Sequence, residues 1–285
     1  MSTYARAAVA GNPSDGFGGA VCALVVPAFS ASVALAPQTE GAAEKQLDLL
    51  TASIARFTRE VAPVGGVRLL VESTIPRLVG LAGSSAIVID AITRLAEVAE
   101  VELSPMRVAQ LAHTVERRDL GIAGGWQDQL IQSHGFSALM DFRTSPSVAP
   151  LRFTTDRQIP MYLAWSTSAA QTSGAAHGLL QAGPAPDPAT VRAFASAAHS
   201  AAEAFRSGDV HALKLAIDRS FDLRAEIMEL APEQERMVEV ARDLGASANY
   251  AGSGGAIVGV LPKNGRTFLD ALNRAGYETF TWDAA

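Results

Sequence analysis

One stretch of the chain, IPRLVGLAGSSAIV at residues 75–88, constrains the fold more than any other. Before it, apolar and polar residues alternate over 67–72, which predicts a half-buried strand. After it, apolar residues recur at helical spacing from Ile87 to Val98, which predicts an amphipathic helix. The unit is therefore a strand, a glycine-containing loop and the N-terminus of a helix.

The N-terminus of such a helix suits an anion such as phosphate, because its first N–H groups are unpaired and lie at the positive end of the helix dipole. Gly80 and Gly83 lack a Cβ, which would let backbone N–H groups approach phosphate oxygens. Ser84 and Ser85 can cap the helix, bind phosphate or ligate Mg²⁺. Alone, this loop is equally typical of a serine-capped helix after a glycine turn, so the phosphate interpretation depends on other segments.

The first loop of the chain, over 11–19, is rich in turn-forming residues and follows a short strand predicted at 3–10. It presents Asp15, and Arg6 lies on the strand before it. Asp15 either faces a substrate or bonds its own backbone in a hairpin turn, and composition alone favours the turn.

A further glycine-rich segment, over 121–129, forms a bend into another predicted helix and carries Asp128 in an apolar setting. The preceding helix is predicted to begin at Ser104 and Pro105, which suit the N-cap and N1 positions. That helix ends near Glu116, twelve residues before Asp128. A surface helix rich in Glu and Arg would also supply such a glutamate by chance.

Near the C-terminus, the sequence NYAGSGGAIVGVL at 249–261 runs from a glycine loop into an apolar strand. Alone, this pattern indicates only a tight turn. Its position after a predicted run of helices, and before a helix at 266–275 and a strand at 277–282, makes it part of the second half of the chain.

Together these segments resemble the GHMP kinases, the family of galactokinase, homoserine kinase, mevalonate kinase and phosphomevalonate kinase. The loop at 75–88 is similar to the second motif of the family, P-x-x-x-G-L-G-S-S-A, with Ala82 inserted. Residues 125–129 are similar to its catalytic segment, G-x-x-D-Q, and 252–255 to its glycine-rich third motif. No G-x-x-x-x-G-K-[ST] is present, so the phosphate loop is not of the Walker type.

The first motif departs from the galactokinase pattern in an informative way. Arg6, Gly11, Asp15 and the Gly18–Gly19 pair fall in register with it. The family's Glu-His before the aspartate is replaced here by Asn-Pro-Ser over 12–14, which argues against galactose itself. The stretch Gly-Asn-Pro-Ser-Asp and the longer second motif both resemble the glucuronokinase branch.

The resemblance implies an α/β (α+β) fold of two domains, 1–148 and 149–285, with the active site in the cleft between them. It also implies ATP and Mg²⁺ as cofactors. The expected site residues are Asp128 and Arg6 for catalysis; Gly80, Leu81, Ala82, Gly83, Ser84, Ser85 and Ala86 for ATP; Ser85 (or Ser84) and Glu116 for the metal; and Asn12, Asp15, Gly19, Gly252, Gly254 and Gly255 for the substrate and the shape of the cleft.

The activity that the resemblance implies is an ATP-dependent sugar kinase that phosphorylates the anomeric hydroxyl of a uronic acid such as D-glucuronate. An arginine would pair with the uronate carboxylate, and the sequence leaves Arg77, Arg143 and Arg152 open. Alternatives are a GHMP kinase for another sugar, homoserine or a mevalonate-type acid, a decarboxylase of the mevalonate branch, and a catalytically silent relative. The motif residues disfavour the last two.

Composition excludes several classes of function. The net charge of −6 argues against a general nucleic-acid surface. The single cysteine, Cys22, excludes an internal disulfide and favours the cytosol. The apolar run over 20–36 is interrupted by Pro27 and serines, so we interpret it as two buried strands and not as a membrane span. We expect a cytoplasmic protein that binds small molecules, and a homodimer is left open.

The remaining segments divide the chain. The polar, proline-containing segment 144–150 is interpreted as the linker between the domains. A strand is predicted at 159–165, then a small polar loop at 166–176. In that loop Thr172 and Ser173 either touch the substrate or, as is favoured, face solvent. A proline-rich turn at 183–188 precedes helices at roughly 190–206, 210–230 and 232–244.

Overall fold

The structure, a computed structural model, describes residues 2–36, 47–152, 158–166 and 185–284. The predicted loop with Thr172 and Ser173, and residues 183 and 184 of the proline-rich turn, lie outside these ranges. The described strands are β1 (Thr3–Ala10), β2 (Ala20–Leu35), β3 (Leu69–Ser73), β4 (Ala138–Asp141), β5 (Ser147–Pro150), β6 (Ile159–Trp165), β7 (Asn249–Tyr250), β8 (Ala256–Val260) and β9 (Glu278–Ala284). The described α-helices are α1 (Asp48–Glu60), α2 (Gly83–Val98), α3 (Pro105–Thr114), α4 (Gln127–His134), α5 (Pro188–Ser207), α6 (Val210–Ile227), α7 (Pro232–Asp243) and α8 (Gly265–Arg274).

The first sheet is antiparallel, in the order β1-β2-β4-β5, with β3 also paired to β2. The prediction of two strands over 20–36 is wrong, because β2 is one strand of 16 residues. Its pairing with β1 shifts register between Val26 and Ser30. Pro27, which has no N–H to donate, lies in that irregularity, where a proline costs no ladder hydrogen bond.

The predicted linker at 144–150 is also wrong in its second half. Residues 147–150 form β5, which pairs in register with β4 and so belongs to the first sheet. Alternation of small and apolar residues there suits an edge strand. The division at residue 148 falls inside this strand, and the exact domain boundary remains a prediction.

The second sheet is antiparallel, in the order β7-β8-β6-β9. The largest core cluster joins the two sheets, since it contains Leu24 of β2, Met161 of β6 and Val258 of β8. Residues of α5 and α6, including Ala201 and Ile217, complete it. The two halves of the chain therefore share a core, and loops from both meet at its edge.

Helix α2 packs with α1 and α3 in a second core cluster. Its predicted apolar stripe is confirmed at Val88, Ala91, Ile92 and Leu95, all of which are buried. The stripe ends before Val98, which is 39% exposed because the helix ends there and leaves the core. Among the described residues, no helix is both long and apolar enough to cross a membrane.

Candidate active site

The glycine loop after β3 brings backbone N–H groups to one end of α2. Leu78, Gly80 and Ala82 all have positive φ, so the chain turns sharply before the helix begins at Gly83. No side chain among the described residues caps this helix, so capping is excluded from the three roles that the sequence left open for Ser84 and Ser85. The first-turn N–H groups are the donors that an anion binds at a helix N-terminus.

The predicted phosphate loop, residues 80–85, and the predicted third motif, residues 252–255, lie in direct backbone contact. A Cβ added to Gly252 would lie 2.1 Å from the carbonyl oxygen of Gly80, and one added to Gly80 would lie 2.7 Å from that of Gly254. A Cβ at Gly255 would lie 2.8 Å from the Cα of Val79. These glycines thus allow two loops that are far apart in the sequence to pack together.

Glu116 forms the centre of a buried cluster of oxygen atoms beside this loop. It lies in a π-helical turn, Val115–Asp119, that continues α3. The hydroxyls of Ser84 and Ser85 each donate a hydrogen bond of 2.8 Å to its carboxylate, which explains why these serines do not cap α2. Gln129 Nε2 donates another bond of 2.5 Å.

The electrostatics of this cluster suit a cation. Burial raises the pKa of Glu116 above its ordinary value, although the hydrogen bonds from Gln129, Ser85 and Ser84 oppose that shift. Gln129 Oε1 is buried without a hydrogen-bond partner among the described residues. A carboxylate and two hydroxyls are oxygen donors of the kind that Mg²⁺ prefers, so the residues present fit this metal.

Arg6 and Asp128 form an ion pair next to the cluster. The Nε and Nη2 atoms of Arg6 both lie 2.7 Å from Asp128 Oδ1. Arg6 Nη1 donates to the carbonyl oxygens of Gly80, at 2.7 Å, and Ala251, at 2.5 Å. A single buried guanidinium therefore joins the phosphate loop, the third motif and the aspartate of the catalytic segment.

Asp15 is brought to the same place by the short 3₁₀ helix Ser14–Phe17. Its carboxylate accepts hydrogen bonds of 3.3 Å from the backbone N–H and from the side-chain Nε2 of Gln127, next to Asp128. A Cβ at Gly125 would lie 1.8 Å from Asp15 Oδ2. The first loop and the catalytic segment therefore pack tightly together.

Asn12 and Gly19, two of the predicted substrate residues, make close contacts within the protein. Asn12 is fully buried, donates to the carbonyl oxygen of Tyr250 at 3.0 Å and accepts from Asn249 at 3.1 Å. Because both ends of its amide are bonded to protein, Asn12 holds the first loop against the third motif. Gly19 is buried, and a Cβ there would lie 2.1 Å from Ser14 Oγ, so its role is packing.

Arg224 was missed by the sequence analysis. It lies on α6 with only 2% of its surface exposed, and its Nη1 donates to the carbonyl oxygen of Gly252 at 2.7 Å. Its helical spacing to the buried Ile217 and Phe221 places it on the apolar face. A basic residue at a core position of an amphipathic helix was the signal in the sequence.

A cavity of about 640 Å³ opens beside the phosphate loop. Its apolar walls include Leu49, Val71, Ile75 and Ile87, and Gly83 and Ser84 also line it. A small adjoining pocket shares Ser84 with this cavity and is lined by residues that include Ser85, Glu116 and Asp128. The arrangement places an apolar cavity, a helix N-terminus, a candidate metal site and an ion-paired aspartate next to one another.

The comparison with family models agrees with this arrangement. Residues 48–136 match the GHMP kinases N terminal domain, and residues 201–278 match the GHMP kinases C terminal domain. Together the two matches span more than half of the chain. The chain belongs to the GHMP kinase family. This GHMP kinase thus has its predicted phosphate loop and Asp128 in the N-terminal match and Gly252, Gly254 and Gly255 in the C-terminal one.

Two relatives bear on the branch of the family. The GHMP kinase is 27% identical to Glucuronokinase 1 of Arabidopsis thaliana, over 92% of this chain and 84% of that protein. It is 40% identical to D-glycero-alpha-D-manno-heptose 7-phosphate kinase of Campylobacter jejuni, but over 28% of this chain and 24% of that protein.

Solved structures share its fold. The phosphomevalonate kinase of Streptococcus pneumoniae, in complex with phosphomevalonate and AMPPNP, superimposes with a TM-score of 0.80 at 14% identity, covering 99% of each chain. Lactococcus lactis galactokinase complexed with galactose gives a TM-score of 0.75 at 16% identity, covering 99% of this chain and 92% of that one. The predicted two-domain GHMP kinase fold is confirmed.

Proposed function

We propose that this protein is an ATP-dependent sugar kinase that phosphorylates the anomeric hydroxyl of a uronic acid such as D-glucuronate. The observation that carries the proposal is the Arg6–Asp128 ion pair, placed between the phosphate loop and the third motif and beside the Glu116 cluster. The glucuronokinase relative, matched over most of both chains, supports the substrate class.

The apolar cavity and the start of α2 would bind ATP. Adenine is flat and largely apolar, and residues such as Val71, Ile75 and Ile87 supply walls of that character. The N–H groups of residues 83–85 would donate to the phosphates. The related fold of S. pneumoniae phosphomevalonate kinase, solved with the ATP analogue AMPPNP, supports this part of the proposal.

Ser85, Ser84 and Glu116 would hold Mg²⁺. When bound, the metal would neutralise negative charge on the transferring phosphoryl group. Gln129 would orient the carboxylate through its 2.5 Å hydrogen bond, in the way that second-shell residues orient metal ligands.

Asp128 would accept the proton of the anomeric hydroxyl. The hydroxyl oxygen would then form a bond to the γ-phosphorus of ATP while the bond from that phosphorus to ADP breaks. Arg6, paired with Asp128, would stabilise the negative charge on the transferring group. Asp15, beside the catalytic segment, would accept hydrogen bonds from sugar hydroxyls. No covalent help is required, because phosphoryl transfer depends mainly on placement and charge.

A second candidate is a GHMP kinase whose acceptor is a sugar phosphate. The 40% identity to the heptose 7-phosphate kinase over 82 residues favours this candidate over homoserine or mevalonate. A cytoplasmic location is the further prediction that accompanies the kinase proposal, and a homodimer stays open.

The test is ADP release with ATP and Mg²⁺ against a panel of D-glucuronate, D-galacturonate, neutral sugars, sugar phosphates, homoserine and mevalonate. Asp128→Asn should lower kcat by about 10²- to 10⁴-fold, the range for loss of a general base. Asp141→Asn is the matched control, since Asp141 is also paired with an arginine and is similarly exposed, at 21% against 19%.

Turnover of a uronic acid that is lost in Asp128→Asn and kept in Asp141→Asn would support the proposal. Turnover confined to sugar phosphates would retain the kinase chemistry and replace the substrate. A wild-type protein that binds neither ATP nor any acceptor would refute the proposal.

A further inference from the structure

Arg224 is a buried cation without an ion-pair partner in the described ranges. No carboxylate of residues 2–36, 47–152, 158–166 or 185–284 forms a salt bridge with it, whereas Arg6, equally buried, pairs with Asp128. Burial lowers the pKa of Arg224 to about 10, which reflects the cost of a charge removed from water. A buried charge of this kind is costly unless something compensates for it.

Most of the hydrogen-bonding capacity of Arg224 is unused within the described chain. A guanidinium has five N–H donors, and the contact to the carbonyl oxygen of Gly252 accounts for one of them. Its Nε is buried and has no hydrogen-bond partner among the residues that the structure describes. The guanidinium carbon lies 5.2 Å from the centre of the Tyr250 ring, a contact that fixes the position of the side chain without using an N–H group.

The position of Arg224 is beside the proposed acceptor site. Gly252, whose carbonyl it binds, is the residue at which a Cβ would lie 2.7 Å from Arg6 Nη1. The negative charge of Asp15, which would bind sugar hydroxyls, raises the pKa of Arg224, and the positive charge of Arg6 lowers it. Arg224 therefore borders the catalytic ion pair on the side of the third motif.

The three arginines that the sequence leaves open for a substrate carboxylate are placed less favourably. Arg143 is 71% exposed and bonded to Asp141. Arg77 is exposed and lines the cavity proposed for ATP, and Arg152 is exposed beyond β5. Of these four cations, Arg224 is the one that is both buried and next to the catalytic residues.

We propose that Arg224 binds the anionic group of the acceptor and makes the enzyme specific for acidic sugars. The inference rests on the proposed kinase function and names the residue that selects its substrate. The N–H groups of the guanidinium that are not bonded to Gly252 would bind a carboxylate in a bidentate fork, away from water, where charge-assisted hydrogen bonds are strong. A phosphate group on a sugar offers the same chemistry.

The experiment compares kcat/KM for D-glucuronate, D-glucose 6-phosphate and neutral D-glucose in the wild type and Arg224→Gln. Arg219→Gln is the matched control, because Arg219 lies on the same helix but faces solvent, paired with Glu226. We expect Arg224→Gln to lower kcat/KM for the anionic acceptor by about 10- to 100-fold, mainly through KM, and to change that for glucose by less than about 3-fold. Arg219→Gln should change neither.

Two additional measurements separate recognition from folding. Thermal stabilisation by ATP and Mg²⁺ should be the same in Arg224→Gln as in the wild type if the fold is intact. Arg224→Lys, which keeps the charge but loses the fork, should recover part of the preference for the anionic acceptor. A folded Arg224→Gln variant that loses the same factor on anionic and neutral acceptors would overturn the inference.

Calorimetric binding of the same sugars separates this inference from the kinase proposal. If the wild type binds D-glucuronate without phosphorylating it and Arg224→Gln abolishes binding, the kinase proposal fails and the role of Arg224 stands. If the wild type phosphorylates D-glucuronate and Arg224→Gln keeps the preference for acidic sugars, the kinase proposal stands and the inference about Arg224 fails. A selective loss with D-glucose 6-phosphate alone would identify phosphate as the anion, and no binding of any anionic sugar would overturn both.

Discussion

Glu116 and Asp119 lie in the same π-helical turn, yet their carboxylates have opposite surroundings. Glu116 is buried and receives hydrogen bonds from the neutral groups of Ser84, Ser85 and Gln129. Asp119 pairs with the guanidinium of Arg56, whose Nε lies 2.9 Å from Asp119 Oδ2.

The difference separates a carboxylate available to a ligand from one used for structure. The charge of Asp119 is compensated within the protein by the guanidinium of Arg56. Arg56 also bonds Glu60, which in turn pairs with Arg107 at 3.0 Å. Within the described ranges the charge of Glu116 has no ion-pair partner, and an added cation would compensate for it. The roles of these two acidic residues therefore differ although they are close in the sequence, because the partners of Glu116 are neutral and the partner of Asp119 is positively charged.

The largest expected effect is on catalysis. Glu116→Gln keeps the shape of the side chain but removes the charge that would hold Mg²⁺, so kcat/KM should fall by about 100-fold or more. The measurement is initial rate as a function of Mg²⁺ concentration, with Asp119→Asn as the control. Equal losses of activity in the two variants would contradict the division of roles.

The second-largest expected effect is on the free energy of unfolding, through loss of the Asp119–Arg56 ion pair. Asp119→Asn should lower the free energy of unfolding by about 2 kcal/mol, less than for a fully buried pair because Arg56 retains Glu60. Urea unfolding at neutral pH measures the change. Asp222→Asn, which removes a more exposed ion pair with Arg242, should cost less than about 1 kcal/mol.

Gln129 gives a smaller, specific test of the Glu116 cluster. Gln129→Met keeps the volume but removes the hydrogen bond to Glu116, so activity should fall by about 10-fold and the half-saturating Mg²⁺ concentration should rise. A matched variant is Gln132→Met, whose amide bonds the carbonyl oxygens of Tyr4 and Ala82 and does not touch Glu116. A change in the Mg²⁺ requirement of Gln132→Met would argue against a specific role for Gln129.

The smallest effect concerns His113, one turn before Glu116, whose ring stacks on Trp126 with centroids 3.9 Å apart. Burial, and then the charges of Arg117 and Arg118, lower its pKa from 6.5 to about 4. Because the folded-state pKa is depressed, its contribution to stability is fully present above pH 6.5 and is lost as the pH falls towards 4.

His113→Phe should therefore flatten the dependence of Tm on pH between 6.5 and 4 while keeping the ring stack. Thermal unfolding across this range is the measurement, and His211→Gln, at an exposed position of α6, is the control. A wild-type and a His113→Phe profile of the same slope would contradict the assignment.

Several elements of this protein were predictable because their signals are local. The Ser104–Pro105 start of α3 is confirmed, with Ser104 Oγ accepting from the N–H of Arg107. The strand at 159–165 and the helix that follows the catalytic segment are also confirmed. Each depends on a cap, an apolar run or a turn within a few residues, and such signals survive in almost any tertiary setting.

Two features of the site that the sequence did not indicate share a physical cause, which is competition from distant partners. Ser84 and Ser85 are good capping residues, but their hydroxyls bond Glu116. Asn12 lies in a loop of turn-forming residues, yet Asn249 and Tyr250 bind its amide. Because these partners lie at least 31 residues away in the sequence, no local pattern predicts the contacts.

The sequence by itself determined the order of the motifs, the strand–loop–helix unit around Gly80 and the register of Arg6, Asp15 and Asp128, since these are properties of spacing and residue type. The tertiary structure decided which groups meet: Arg6 with Asp128, Glu116 with two serines, and Arg224 with Gly252. Such contacts join residues far apart in the chain, and packing of the two halves on a shared core brings them within hydrogen-bond distance.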